Sequence, residues 1–105
     1  MKIGCYCGAT IYDQSDSLPH KGHFIPDQKW LAAYDAIDED VIDPLLDGSL
    51  EREAAYIKSR GIISGSSRLI YQCRSCGRLY VEDGNRQLHC YVPASSETAK
   101  EILRG

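Results

Sequence analysis

Five cysteines stand in a chain of 105 residues, and four of them form two close pairs. Cys5-Tyr6-Cys7-Gly8 opens the chain, and Cys73-Arg74-Ser75-Cys76-Gly77 follows after a gap of sixty-five residues. Cys90 is left over. An odd number of thiols fits poorly with a fully paired disulfide framework, whereas four ligands and one spare thiol divide it simply. Met1-Lys2-Ile3-Gly4 leads into no apolar run of the length a secretory signal needs. No stretch approaches the roughly 20 apolar residues that cross a bilayer. The expected setting is therefore cytoplasmic, where thiols stay reduced and clustered cysteines more often hold metal than pair covalently.

Each pair has a glycine directly after its second cysteine. A tight knuckle brings two sulfurs onto one ion, and the residue that follows often needs a positive φ, which glycine adopts without penalty. Four thiolates at about 2.3 Å close a tetrahedral shell with no open position, the form of a structural zinc site. Soft thiolates favour zinc or iron over calcium or magnesium. The expected ligands are Cys5, Cys7, Cys73 and Cys76 around one structural zinc ion, with iron left open. A redox Cys-x-x-Cys normally opens a helix. Cys76 is followed instead by Gly77-Arg78-Leu79-Tyr80-Val81, which reads as strand.

These two knuckles resemble the zinc ribbon, in which two such turns sit at the ends of β-hairpins and share one zinc. The resemblance covers about residues 1–12 and 68–92. Its second half, Cys73-x-x-Cys76-Gly77, follows the usual pattern, and its first half has one spacer residue where two are usual. It implies that the intervening region is an insertion into the ribbon.

The remaining sequence predicts a mixed chain. Ala9–Tyr12 reads as a short strand and Asp13 to Pro26 as loop. Asp27 is a suitable N-cap for a helix whose Trp30, Leu31, Tyr34, Ile37 and Val41, with Ile42 and Leu45, span an arc of about 140°, predicting a core-facing stripe. Pro44 should end or kink that helix, or Asp43-Pro44 should begin another. A further helix is expected over roughly 49–60, with Leu50, Ala54 and Ile57 on one side and Gly61 at its C-terminus. Arg68–Gln72, Arg78–Glu82 and Arg86–Val92 read as strands, the last two joined by the turn Asp83-Gly84-Asn85. Leu88, Cys90 and Val92 then share one face, with Cys90 a buried apolar thiol, and Gln87, His89 and Tyr91 share the other. Ser95 or Ser96 should cap a short C-terminal helix ending near Arg104. The expected class is α+β. It is a small antiparallel ribbon sheet with a two-helix insertion over about 27–61 and a C-terminal helix, all in one domain spanning 1–105.

Charge separates the candidate functions. The net charge is −3, and residues 35–55 carry eight acids against Arg52 alone, while residues 56–105 carry eight bases and four acids. No nucleophile elbow, phosphate-cradling loop, zincin helix or Walker pattern is present, so the chain reads as a non-enzyme. His20 and His23 have a ligand-like spacing but sit among Pro19, Gly22 and Pro26, and read as surface histidines. His89 and Cys90 are adjacent in a strand and point to opposite faces, so they do not form a catalytic pair.

Two binding readings remain. Asp40, Asp43 and Asp47 on the acidic segment suit a basic protein partner. Arg78, Tyr80, His89 and Tyr91 offer a second candidate surface. Small acidic one-domain proteins of this kind are similar in general character to bacterial immunity proteins, which implies a basic toxin domain as partner. The alternative is a zinc-ribbon nucleic-acid binder, with Arg68, Arg74, Arg78 and Arg86 on phosphates and Tyr80 and Tyr91 stacking on bases. The −7 segment opposes that alternative.

Overall fold

A computed structural model describes all residues, Met1–Gly105. The chain divides into two compact units, one built from Met1–Phe24 with Arg68–Gly105 and one from Ile25–Ser67. The class is α+β, as the sequence predicts, with two antiparallel sheets rather than one.

The first unit is the ribbon. Strand β1 (Lys2–Gly4) pairs with β2 (Thr10–Tyr12), placing Ile3 opposite Ile11. A second sheet has the order β3-β4-β5-β6, built from β3 (Lys21–Phe24), β4 (Arg68–Gln72), β5 (Leu79–Glu82) and β6 (Leu88–Tyr91). Its core gathers Cys5, Ile11, Tyr71, Cys73 and Tyr80, with Ile3, Leu69, Leu88 and Cys90 packed around them. Tyr71 is fully covered, and its hydroxyl donates to the carboxylate of Asp13, which also takes two hydrogen bonds from Lys21 at 2.9 and 3.0 Å. The Tyr71 hydroxyl and then Lys21 hold the Asp13 carboxyl below its ordinary range, while burial and then Asp13 push the Tyr71 phenol up. The buried Tyr71 hydroxyl is thus satisfied by a half-buried carboxylate that is itself paired, the condition under which a buried polar group can be kept inside.

Two expectations for this unit are corrected. Lys21–Phe24 is strand rather than loop, because the free edge of β4 takes it as a partner, with Gly22 opposite Ile70 and His23 opposite Leu69. The C-terminal helix does not form. Residues 95–105 run through isolated turns, closed by Thr98 N–H to Ser95 O and Arg104 N–H to Glu101 O, and between them Ala99 O and the Ile102 N–H are taken by the side chain of Gln72. In the β5–β6 hairpin the Asp83 carboxylate accepts N–H groups from Asn85 and Gln87 at 2.8 and 3.0 Å, and Arg86 takes a positive φ of 63°.

The second unit is helical: α1 (Asp27–Ile37), a π-helical turn (Asp38–Ile42), α2 (Asp43–Leu46) and α3 (Arg52–Ser66). The π turn has a local cause. A proline inside a helix clashes with the carbonyl four residues back and lacks the N–H to bond it. Pro44 would meet the carbonyl of Asp40. The chain widens instead, so that the Asp43 N–H bonds the carbonyl of Asp38, five residues back. Pro44 therefore breaks the regular helix as expected, and Asp43-Pro44 opens α2, though no side chain caps it. At the start of α1, Pro26 holds the N-cap position and Asp27 the first turn. Helix α3 passes through Gly61 to end at Ser66, six residues beyond the predicted end.

The predicted apolar stripe is mostly outside. The residues buried in this unit are Ala33, Val41 and Ala55. Of the stripe, Val41 is buried and Ile37 half-buried, while Trp30, Leu31, Tyr34, Ile42 and Leu45 are exposed. Of the predicted α3 side, Leu50 and Ala54 are half-buried and Ile57 is exposed. Small side chains let helix backbones approach closely, so α1 and α3 meet without enclosing their large neighbours. The exposed Trp30 and Tyr34 rings pack edge to face at 5.0 Å.

Candidate metal centre

The two knuckles lie at hairpin ends. The first bridges β1 and β2, closed by Cys5 N–H to Ala9 O and Gly8 N–H to Cys5 O, both 2.9 Å. The second bridges β4 and β5, closed by Gly77 N–H to Cys73 O at 2.8 Å and Cys73 N–H to Arg78 O at 2.9 Å. Gly8 and Gly77 have φ of +96° and +84°, the conformation the sequence demands of them. The single spacer Tyr6 is no obstacle, because its backbone N–H is anchored on the Tyr80 hydroxyl at 3.1 Å.

The four sulfurs of Cys5, Cys7, Cys73 and Cys76 all lie within 4.8 Å of one another. Cys5 and Cys76 are 3.6 Å apart and Cys7 and Cys73 are 3.7 Å apart. A disulfide needs about 2.05 Å. Tetrahedral ligands at about 2.3 Å from one ion are separated by about 3.8 Å, so the spacing is that of a shared metal. All five cysteines are free thiols. The arrangement is compatible with a zinc-ribbon-like site and able to hold one metal ion. Its burial is uneven, from Cys73 at 1% exposure to the solvent-facing Cys7.

The thiols also differ in acidity. Burial pushes Cys73 up to about 12. At Cys76 burial also works upward, but the Arg78 backbone and side chain and the neighbouring thiols outweigh it and bring the thiol to about 6. At Cys5 burial is likewise outweighed, first by the Tyr80 hydroxyl, and the thiol is lowered. The Arg78 guanidinium and the Tyr80 hydroxyl thus offset negative charge on the sulfurs, which four thiolates around a divalent ion would raise to a net −2.

The other sequence-predicted residues are less gathered. Asp40, Asp43 and Asp47 are all exposed on the π turn and α2 end, and Asp47 accepts the Ser49 N–H at 2.8 Å. Arg78, Tyr80, His89 and Tyr91 do not share a surface. Tyr80 lies opposite Cys90 in the β5–β6 ladder, and opposed residues project to one face, so it turns with Cys90 into the core at 5% exposure. His89 and Tyr91 point the other way and are exposed. His89 Nε2 sits 2.7 Å from Asp83, whose carboxyl is held down to about 2 by that contact first and then by the Gln87 and Asn85 N–H groups. Cys90 is half-buried rather than enclosed. His23 is exposed in β3, and His20 Nε2 meets the Tyr12 carbonyl at 2.6 Å.

Sequence reasoning missed Tyr6 and Gln72. Tyr6 stands 82% exposed between two ligand cysteines, and Gln72 is buried at 2% beside a third. An aromatic held between two ligands was the visible signal for the first. A glutamine in an otherwise apolar strand was the signal for the second.

The comparisons with known proteins define the class before any activity. Residues 1–95 match a family described as "Domain of unknown function (DUF8617)", and the chain belongs to that family. No curated protein and no solved structure matches it. No helix is long and apolar enough to cross a membrane.

Proposed function

We propose that the chain is a non-catalytic protein-interaction module, held by one structural zinc ion on Cys5, Cys7, Cys73 and Cys76, that binds a basic protein in the cytoplasm. The observation that carries this reading is the surface of the helical unit. Leu31, Leu46 and Ile57 are 71%, 79% and 71% exposed, within a unit of nine acids and four bases. Leu31 lies between Asp27 and Asp35 at helical spacings of four, and Leu46 has Asp43 and Asp47 beside it. Exposed apolar side chains among acidic ones suit a specific interface, and the sign of the surrounding charge favours a basic partner. The immunity version of this reading makes that partner a toxin domain.

The test is affinity capture followed by kinetics on the purified pair. A stoichiometric basic protein should be recovered, Leu31→Asp should abolish its binding, and Asp40→Lys with Asp43→Lys and Asp47→Lys should slow association by at least tenfold, as roughly expected for lost steering. Unchanged kinetics in both variants would remove the helical surface from the function.

A second reading rests on Tyr6. An exposed aromatic between two cysteines of a hydrogen-bonded knuckle suits stacking on a single-stranded base. Binding of random single-stranded RNA at about 50 mM salt, falling steeply as salt rises, would support it. No binding at that salt eliminates it.

A further inference from the structure

The C-terminal segment is held in a way that no packed tail requires. Gln72 is 2% exposed in β4, and its backbone is fixed by the bond from its own N–H to His20 O at 2.9 Å. Its side-chain amide faces residues 95–105. Gln72 Nε2 donates to Gly77 O at 3.2 Å and to Ala99 O at 3.1 Å, and Gln72 Oε1 accepts the Ile102 N–H at 2.9 Å. One buried amide therefore reads an acceptor and a donor three residues apart on an irregular segment, and it reads backbone atoms alone. This is the logic of peptide recognition, in which main-chain bonds give register and side-chain pockets give selection.

The neighbouring glycines complete the groove. A Cβ on Gly22 would lie 3.5 Å from Leu103 Cδ2 and 3.1 Å from Ile70 Cγ2, so the bare backbone makes a shelf for the Leu103 side chain. A Cβ on Gly77 would lie 3.1 Å from Lys100 Cγ and 3.3 Å from Pro93 Cγ, so the knuckle glycine admits the segment as it crosses. The fit is incomplete. A cavity of about 230 Å³ remains between the segment and the sheet, lined by Leu79, Tyr91, Val92 and Pro93 on one side and by Thr98 and Ala99 on the other. The small side chains of the segment leave an apolar space beside it. The family match ends at residue 95, so everything that makes the groove except Thr98–Leu103 lies inside the matched region, and the occupant lies outside it.

We propose that this groove is a peptide-binding site, occupied in the free chain by its own residues 96–105 as a resident placeholder. Its ligand is an extended peptide segment that presents the same carbonyl and N–H to Gln72, an aliphatic residue to the Gly22 shelf, and a side chain larger than alanine at the position of Ala99. The site belongs to the ribbon unit and does not depend on the helical surface proposed above. A tethered occupant acts at an effective concentration of order mM, so a ligand displaces it only by binding more tightly than the segment itself. Filling the cavity supplies that difference.

The experiment uses the full chain and two labelled peptides, one with the sequence of residues 95–105 and one carrying Ala99→Leu. Unseating the segment in the chain by Ile102→Pro with Leu103→Asp removes the N–H that Gln72 reads and the shelf contact. The unseated chain should bind the first peptide at least tenfold more tightly than the native chain does, and the Ala99→Leu peptide about tenfold more tightly again, as the gain in buried apolar area implies. Adding Gln72→Leu to the unseated chain should lose at least tenfold. No binding to a folded, unseated chain at about 1 mM peptide, or binding indifferent to Gln72→Leu, overturns the site. Equal binding of the two peptides overturns the selection for a larger side chain. Should the unseated chain fail to fold, the native chain answers by amide exchange. Excess Ala99→Leu peptide must strip protection from the Ile102 N–H, and protection unchanged at about 1 mM peptide overturns the proposal.

Discussion

The two units use their side chains in opposite ways. The ribbon, with eight bases and six acids, builds its core on large side chains, with Tyr71 fully covered and Tyr80 5% exposed beside Cys5 and Cys73. The helical unit buries two alanines and a valine and leaves Trp30, Leu31, Leu46 and Ile57 in water. Large side chains carry stability in one and remain available for contact in the other. The lesson is that apolar content alone does not locate a core. What locates it here is the set of long-range ties (two gathered cysteine knuckles, the Tyr71–Asp13–Lys21 network, an edge strand) that the ribbon possesses.

If that contrast holds, substitutions should separate into those that unfold and those that only unbind. The largest expected effect is at the metal. Cys73→Ser, or stripping the ion with a chelator, should remove most of the about 10–16 kcal/mol that a structural zinc contributes in small domains, and unfold the ribbon. Ion content by elemental analysis together with tyrosine absorbance checks this; a ribbon that stays folded with less than one ion per chain would contradict it. Next comes Tyr71→Ala, expected to cost about 3–5 kcal/mol as a large buried ring removed from a packed core. Tyr71→Phe should cost about 1–3 kcal/mol, because it deletes the hydrogen bond of the buried phenol to the half-buried Asp13 carboxylate, and denaturant titration measures both. Leu31→Asn or Ile57→Gln in the helical unit should shift stability by no more than about 0.5 kcal/mol, the range of ordinary surface changes. A loss above about 2 kcal/mol in either would mean that the helical surface is structural after all.

The smallest effect is a pH dependence at the β5–β6 hairpin. The Asp83 carboxyl is held down from its ordinary 3.8 to about 2 in the folded chain, so its contribution is present above 3.8 and lost as pH falls from there through about 2. Asp83→Asn should therefore lower the melting temperature at pH 6 and leave it unchanged below pH 2. A difference that persists at the acidic end would show that the carboxylate charge is not what His89 and the turn amides read.

The ribbon half of this architecture was legible because its constraints are local. Cys-x-x-Cys-Gly requires a turn, a positive φ and two sulfurs on one side, and Arg68–Gln72 and the Asp83 turn stand where their own residues put them. The metal ligands came from spacing for the same reason. Elements fixed by distant partners were not legible. Nothing in Lys21-Gly22-His23-Phe24 marks a strand apart from the open edge of β4 that it fills. Glu97–Leu103 has good helix formers, yet Gln72 takes the carbonyl and the N–H that a helix would use internally. The apolar stripe starting on α1 failed for two reasons. It assumed one unbroken helix at 100° per residue; the π turn before Pro44 breaks that phase for Leu45, while Trp30, Leu31 and Tyr34, which precede the turn, are exposed because the contacts of α1 are made through Ala33 instead. Tyr80 was misplaced because the strand pattern of 78–82 is too short to show which face is which without its partner Cys90.

One more consequence follows from the unequal cover of the four sulfurs. Cys73 and Cys5 are sealed in the core and Cys76 is half-covered, whereas Cys7 faces solvent. Of the four sulfurs, Cys7 is the one a thiol reagent or chelator reaches directly, while the others sit behind the fold of the ribbon. A cluster sealed on three sides and open on one is therefore addressed from a single direction, that of the short first knuckle.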